Sequence, residues 1–252
     1  MLTKISGFYN RSPELLTLEE IKHYLYHCKE KQDLSSSFIN QTISALRILR
    51  RDVLGENWED GLRLHRPRRA RKLPVILSRE EVKRLLSMIS NPKHRALVAV
   101  LYSSGIRMSE LLSLYPTDID ADRMVIRVRQ GKGNKDRETI LSKKTLELLR
   151  EYYRHAYPKP TKYLFEGMGG PGLKYSASSV RKILKRAARR AGIEKEIGAH
   201  ILRHTFATHM LEQGTNLKIL QQLLGHKSLK TTMVYLHVTM TDSRVKSPFD
   251  EL

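Results

Sequence analysis

The stretch His200-Ile201-Leu202-Arg203-His204-Thr205-Phe206-Ala207-Thr208-His209 decides how the rest of this 252-residue chain is read. Leu202, Phe206 and, one turn on, Met210 recur at four-residue steps, which predicts a helix over 200–213 with those three toward a core. His200 and Arg203 then share a face one turn apart. His204 falls one residue outside that pair. Like His209, it reads as a packing or capping group rather than a catalyst. His200 and His204 also spell His-x-x-x-His, a spacing that can hold zinc. No acidic third ligand with matching spacing follows, so no metal is expected.

Toward the C-terminus, helices are predicted over 216–224 and 229–238. Gly192, Gly214 and Gly225 stand where helices end on a left-handed residue. Leu223-Leu224-Gly225-His226 sets a histidine just past one such end, and Tyr235 follows nine residues later. Singly, the histidine reads as a cap and the tyrosine as half-buried core. Toward the N-terminus, a helix over 177–191 carries Arg181, Lys182, Lys185, Arg186, Arg189 and Arg190, six cations in ten residues. Val180, Ile183, Leu184 and Ala187 form its core side. A basic helix of this kind can lie in the major groove of duplex DNA.

Further upstream, Met124–Arg129 alternates with period two and predicts a strand. A turn at 131–136 feeds Arg137–Leu141, completing a hairpin. Lys132 and Lys135 sit at its tip, where glycines leave a lysine free to approach a phosphate; taken alone, this is an ordinary solvated turn. No Gly-Lys-Ser/Thr follows in Walker spacing, so ATP binding is not indicated. Ser104-Gly105-Ile106-Arg107 turns into a short helix, and Glu110, three residues on, can hold the Arg107 guanidinium. Alone, that is a surface ion pair. Helices are predicted over 79–89, 93–103, 108–114 and 143–155, the first opened by the capping box of Ser78 and Glu81 and the last by Ser142. The segment 157–175, rich in proline and glycine, reads as loop with one short strand at 163–165.

At the front, Thr17 and Glu20 form another capping box for a helix running to about Lys31. Ser35, Ser36 and Ser37 offer caps for a second, with Ile39, Ile43, Leu46 and Leu49 on one face and Gly55 at its end. These helices make a small unit, 1–64, too small to be very stable alone. A second domain occupies 78–252. Between them, 65–77 carries Arg66, Arg68, Arg69, Arg71 and Lys72 without apolar periodicity. A merely solvated linker has no need of five cations, whereas one lying across a phosphate backbone does.

Lys and Arg total 46 against 26 Asp and Glu, a formal charge of +20. A polyanion is implied, and nucleic acid leads because neutralising phosphates releases counterions. An anionic membrane surface fits less well, since the cations are spread over many segments rather than one amphipathic helix. An apolar share of 40% excludes a disordered basic tail. No apolar run is long enough to span a bilayer, and the first residues lack a signal peptide's apolar core. The single cysteine, Cys28, excludes an internal disulfide and a cysteine zinc site, so a cytoplasmic setting is expected.

Jointly, the strings SSGIRMSELL, GKGNKDR, HILRHTFATHML and LLGHKSLKTTMVY resemble the tyrosine recombinase family, which includes the Xer, phage and integron integrases. The resemblance covers about residues 78–238. Weaker likenesses reach both ends: SPELLTLEEIKHYL is similar to the middle of that family's core-binding domain, and VKSPFDEL to the tail of integron integrases. Ala199 and Ile201 depart from the family's usual proline and small polar residue without removing a catalytic group. The implied fold is mainly α with a small β-hairpin or sheet (α+β), a recombinase catalytic domain preceded by a short helical SAM-like domain. That domain is expected to be truncated, lacking about two helices before Thr17.

The implied reaction is site-specific recombination of double-stranded DNA without metal, ATP or other cofactor. Tyr235 would attack a phosphodiester to give a 3′-phosphotyrosine. Arg107, supported by Glu110, and Arg203 would grip the non-bridging oxygens. Lys132 would protonate the leaving 5′-oxygen, and His200 and His226 would hydrogen-bond the phosphate or help remove the tyrosine proton. Lys135, the linker cations and Arg181, Lys182, Lys185 and Arg186 would contact DNA. Subunits would assemble as dimer to tetramer through the C-terminal tail. Two other readings stand beside this one: a type IB topoisomerase-like nicking-closing enzyme, and a non-catalytic DNA-binding relative. The full set of six catalytic positions opposes the last.

Overall fold

Capping sets where several helices begin. Thr17 and Ser78 each accept the N–H three residues on, while Glu20 and Glu81 accept the cap's own N–H. Two of the four unpaired amides at each helix start are so satisfied. The structure, a computed structural model, describes residues 1–56, 74–129, 136–167 and 169–236. It divides into two compact units, Met1–Lys72 and Leu73–Leu252.

In the first unit, helix α1 (Leu2–Tyr9) is followed by a tight turn at Pro13–Leu15, then α2 (Leu18–Tyr26) and α3 (Ser36–Arg47). The last two each widen into a π-turn, His27–Lys31 and Ile48–Val53. Ile5, Leu16, Ile21, Leu25, Ile39, Ile43 and Leu46 form the core. Helix α1 corrects the expectation that no helix precedes Thr17. It escaped the sequence reading because Met1 gives no side-chain cap and Gly7 interrupts it, both weak helix signals. Burial of Ile5 against the other helices is what holds it.

The second unit runs α4 (Arg79–Ser87), α5 (Pro92–Ser104), α6 (Met108–Leu111), β1 (Ile119–Asp120), β2 (Val125–Val128), β3 (Arg137–Ile140), α7 (Lys143–His155), α8 (Ala177–Arg190), α9 (Ala199–Glu212), α10 (Leu217–Leu224) and α11 (Leu229–Thr232). The three strands form one antiparallel sheet in sequence order, with Ile119 opposite Ile126 and Val128 opposite Arg137. Helix α5 is apolar nearly all round: Ala96–Leu101 are all buried, and it packs against α7 and α9. Strand β1 was not expected, and three expected elements differ. The segment 163–165 is not a strand; only an isolated bridge joins Glu166 to Lys174. The helix after Arg107 stops at Leu111. The helix expected over 229–238 is α-helical only to Thr232, then tightens into a 3₁₀ turn at Met233–Tyr235, which carries Tyr235 into the cluster of Phe206, Ala207, Leu220 and Leu224.

Gly105 ends α5 at φ 60°, and a Cβ there would lie 2.3 Å from the Phe206 ring. Only glycine lets the chain turn this close to α9, and the turn delivers Arg107 two residues later. Among the described residues, no helix is long and apolar enough to cross a membrane.

Candidate active site

The ends of two helices supply the carbonyl groups around which the site is built. Arg203, on α9 and 4% exposed, donates to the Gly105 carbonyl (2.6 Å) at the end of α5 and to the Leu224 carbonyl (2.7 Å) at the end of α10. Arg107 donates to the Gly225 carbonyl (3.1 Å) and to Glu110 Oε1 (2.7 Å), while its backbone N–H donates to Glu110 Oε2 (2.7 Å). A third arginine, Arg137 at the start of β3, donates to the Leu223 carbonyl (3.1 Å) and to both Glu110 oxygens (2.9 and 2.8 Å). Carbonyls at helix C-termini carry partial negative charge, so they hold cations well. Glu110 is 8% exposed and serves two arginines at once.

This arrangement tunes the titrating groups. Burial acts to raise the Glu110 pKa, but the bonds from Arg137 and Arg107 outweigh it and hold the carboxyl at about 2. Burial, then repulsion from Arg107, brings Arg203 down to about 10, so it stays cationic at neutral pH. Burial and the charges of Arg203, Arg107 and Arg137 push His226 to about 4, leaving it neutral. Its Nε2 lies 3.0 Å from an Arg203 amine, which can only donate, and its Nδ1 lies 2.9 Å from Thr232 Oγ1. The proton therefore sits on Nδ1.

Tyr235 is 3% exposed. Burial raises its pKa, and Arg203 and Arg107 partly offset that. Its ring lies parallel to that of His226, with centroids 6.4 Å apart. Its Oη lies 2.9 Å from His204 Nδ1. Burial, His200 and Arg203 lower the His204 pKa. His200 is exposed, and its ring stacks on His204 at 6.3 Å.

A cleft of about 400 Å³ is lined by Arg107, His200, Arg203, His204, His226 and Tyr235. It brings together five of the residues singled out from sequence, with Glu110 behind Arg107. A larger cleft of about 600 Å³, beside Lys93, Tyr152 and Glu166, contains none of them. Arg181, Lys182, Lys185, Arg186, Arg189 and Arg190 are all exposed on α8, opposite buried Val180, Leu184 and Ala187. Lys132, Lys135, Arg66, Arg68, Arg69, Arg71, Lys72 and the tail Val245–Leu252 lie outside the described residues. Among the described residues, no group of three or more His, Cys, Asp or Glu is placed to hold a metal ion.

Two residues of the site do not stand out in the sequence. Arg137 closes the GKGNKDR string and reads there only as the start of a strand. His204 is four residues from His200, close enough on a helix to share its face, and that spacing was the available signal. In this cleft two guanidinium groups can meet a tetrahedral anion beside a buried phenol that is hydrogen-bonded to a neutral imidazole.

A helical unit with a small antiparallel sheet, joined to a helical N-terminal unit, defines the architecture of integrase-type recombinases. The chain belongs to the phage integrase family: the model of that family matches residues 76–242, and the model of the phage integrase N-terminal SAM-like domain matches residues 1–60. The tyrosine recombinase XerA of Thermococcus kodakarensis is 39% identical over 224 residues, covering 88% of this chain and 77% of that one. Of solved structures, a XerA recombinase aligns at TM-score 0.62 with 30% identity, covering 97% of this chain and 89% of that one. A XerH site-specific recombinase in a post-cleavage complex with its palindromic difH substrate aligns at TM-score 0.70 with 25% identity, covering 92% and 71%. The chain is thus a tyrosine recombinase, a DNA strand-exchange enzyme, with the mainly helical fold and small sheet that its sequence implied.

Proposed function

We propose that this recombinase cleaves duplex DNA with Tyr235, forms a 3′-phosphotyrosine and rejoins the strand by attack of a free 5′-hydroxyl. The observation that carries this is the single cleft in which Arg107, Arg203 and His226 surround the Tyr235 phenol. Arg107 and Arg203 stabilise the charge that grows on the non-bridging oxygens, and their carbonyl and carboxylate partners aim them in advance. Exposed His200 hydrogen-bonds the phosphate, while neutral His226, its Nε2 accepting from Arg203, holds that guanidinium in place. Lys132 protonates the leaving 5′-oxygen. Because the phosphotyrosine keeps the energy of the ester bond, rejoining requires neither ATP nor metal.

Duplex DNA is the substrate; the XerH relative is bound to a palindromic difH substrate in a post-cleavage complex. The exposed cations of α8 contact it, with Arg181, Lys182, Lys185 and Arg186 foremost, together with Lys135 and the cations of 65–77. Subunits assemble on it as dimer to tetramer through the C-terminal tail, in the cytoplasm. The likeness to Xer enzymes favours recombination over a topoisomerase-like reaction, which needs one site instead of two.

The test is covalent capture. The chain is mixed with a pool of nicked duplexes of random sequence, and DNA that stays attached after denaturation is recovered. The unaltered chain should yield attached DNA, also with excess chelator present. Tyr235→Phe should yield none while binding DNA as before, because only the nucleophilic oxygen is lost. An adduct in that variant, or loss with EDTA reversed by a divalent ion, would overturn the reading.

A further inference from the structure

We infer that His204, rather than His200 or His226, takes the proton of Tyr235 as its phenol oxygen attacks phosphorus. The inference rests on the phosphotyrosine reading above and assigns one step within it. The geometry is direct: His204 Nδ1 lies 2.9 Å from Tyr235 Oη, within the reach a general base needs. With Nδ1 accepting, the imidazole proton sits on Nε2.

The other two histidines are less suited. Both ring nitrogens of His226 are engaged, Nε2 by the Arg203 guanidinium and Nδ1 by Thr232. Protonating its Nε2 would replace a hydrogen bond with a clash of two cations. His200 is exposed on the outer side of the stack, with its ring against that of His204. It lies where an incoming phosphate can meet it.

The groups facing the His204 imidazole are His200 and Arg203 on its own helix, Tyr235 from the turn after α11, and His226 from the turn after α10. Before DNA arrives, burial, His200 and the positive charge of Arg203 disfavour its protonated form, which favours an imidazole able to accept. A phosphate entering between Arg107 and Arg203 brings negative charge close by, which raises the affinity of His204 for a proton. The base thus strengthens when substrate is bound. The buried phenol needs this help, since burial disfavours the phenolate.

The step balances. The Oη–H bond breaks and its proton goes to His204 Nδ1. The oxygen lone pair forms the Oη–P bond, the P–O5′ bond breaks, and O5′ takes a proton from Lys132. Rejoining reverses each transfer, so His204 returns the proton to Oη as acid.

The experiment uses a duplex recovered by covalent capture on the unaltered chain and measures single-turnover adduct formation against pH. His204→Asn keeps a polar atom near the Nδ1 position but cannot carry the proton. It should slow adduct formation by about 10²-fold or more and abolish the acidic limb of the profile, with DNA binding and melting temperature nearly unchanged. His200→Asn should lower the rate but keep that limb. Replacing the Tyr235 phenol with a difluorinated, more acidic phenol should restore most of the loss in His204→Asn. If that variant melts early, His204→Gly with added imidazole serves instead, and imidazole should restore the rate. An unchanged rate and profile in His204→Asn, a faster rate, or loss of the limb only in His200→Asn would overturn the assignment; a faster rate would make the bond a restraint on the resting tyrosine. Failure of the unaltered chain to form any adduct at Tyr235 would instead sink the phosphotyrosine reading and this step with it.

Discussion

Two sets of cations in the second unit are built in opposite ways. Arg107, Arg137 and Arg203 are largely buried, and carbonyls at helix ends or the Glu110 carboxylate hold each of them. The six cations of α8 stand exposed on one face of a helix whose other face is core. Fixed guanidinium groups in a low-dielectric cleft have already lost their freedom, so they stabilise charge where it develops without reorganising. Exposed cations are screened by salt and act roughly in proportion to their number. The comparison implies that the first set acts on the rate of the reaction and the second on occupancy of the DNA.

The sharpest way to break that division is Arg203→Ala. Adduct formation should fall by about 10²–10³-fold while DNA binding falls far less. The variant should also lose stability, about 1–3 kcal/mol for each carbonyl left unpaired, at Gly105 and Leu224. Equal losses of binding and cleavage would make Arg203 a ground-state anchor, no different in kind from the cations of α8.

Glu110→Gln tests whether the clamp is electrostatic. The folded pKa of Glu110 is about 2, below its ordinary value of 4.5. A depressed carboxylate contributes stability that is present above the unfolded value and is lost as pH falls through the folded one. Denaturation of the unaltered chain should therefore show stability, on the order of 3 kcal/mol, draining away between roughly pH 4.5 and 2. In Glu110→Gln that part of the acid dependence should vanish, with a lower melting temperature at neutral pH and slower adduct formation. An unchanged acid limb would show that Glu110 does not set it.

Gly225→Ala perturbs the clamp without changing any charge. The residue has φ 63°, and a Cβ would lie 2.8 Å from Arg137 Cδ. Arg137 must move off Glu110, and about 1–3 kcal/mol of stability should go with it. Reduced adduct formation at saturating DNA would show that aim alone matters in the buried set.

The smallest effect on chemistry should come from the exposed set. Replacing Arg181, Lys182, Lys185 and Arg186 together with alanine should weaken DNA binding. It should also flatten the dependence of log K on log salt by up to about 0.9 per lost contact. The rate of adduct formation on saturating DNA should be unchanged; a drop there would mean that α8 also aims the substrate.

Much of the fold could be read from local pattern. Helix α7 lies over Lys143–His155, where the Ser142 cap puts its start, and Gly192, Gly214 and Gly225 all take positive φ. What escaped was short or uncapped: α1, with no capping side chain, and β1, two residues long and defined only by pairing with β2. Its two residues carry too little periodicity to show. The site divides in the same way. His200 and Arg203 are three apart on one helix, so helical geometry alone puts them on one face. Arg137 and Glu110 are 27 residues apart, and His204 and Tyr235 are 31 apart.

The sequence by itself therefore determined the charge, the helices and their caps, the order of the arginines, histidines and tyrosine, and through that order the family. Tertiary structure alone decided which groups meet. It brought the ends of α5 and α10 to three guanidinium groups, gave Arg107 and Arg137 one carboxylate to share, and set the Tyr235 oxygen on His204. Local periodicity describes a single element, whereas a contact between elements depends on the burial of both faces and on close approaches such as Gly105 against Phe206, where a single added carbon would hold the elements apart.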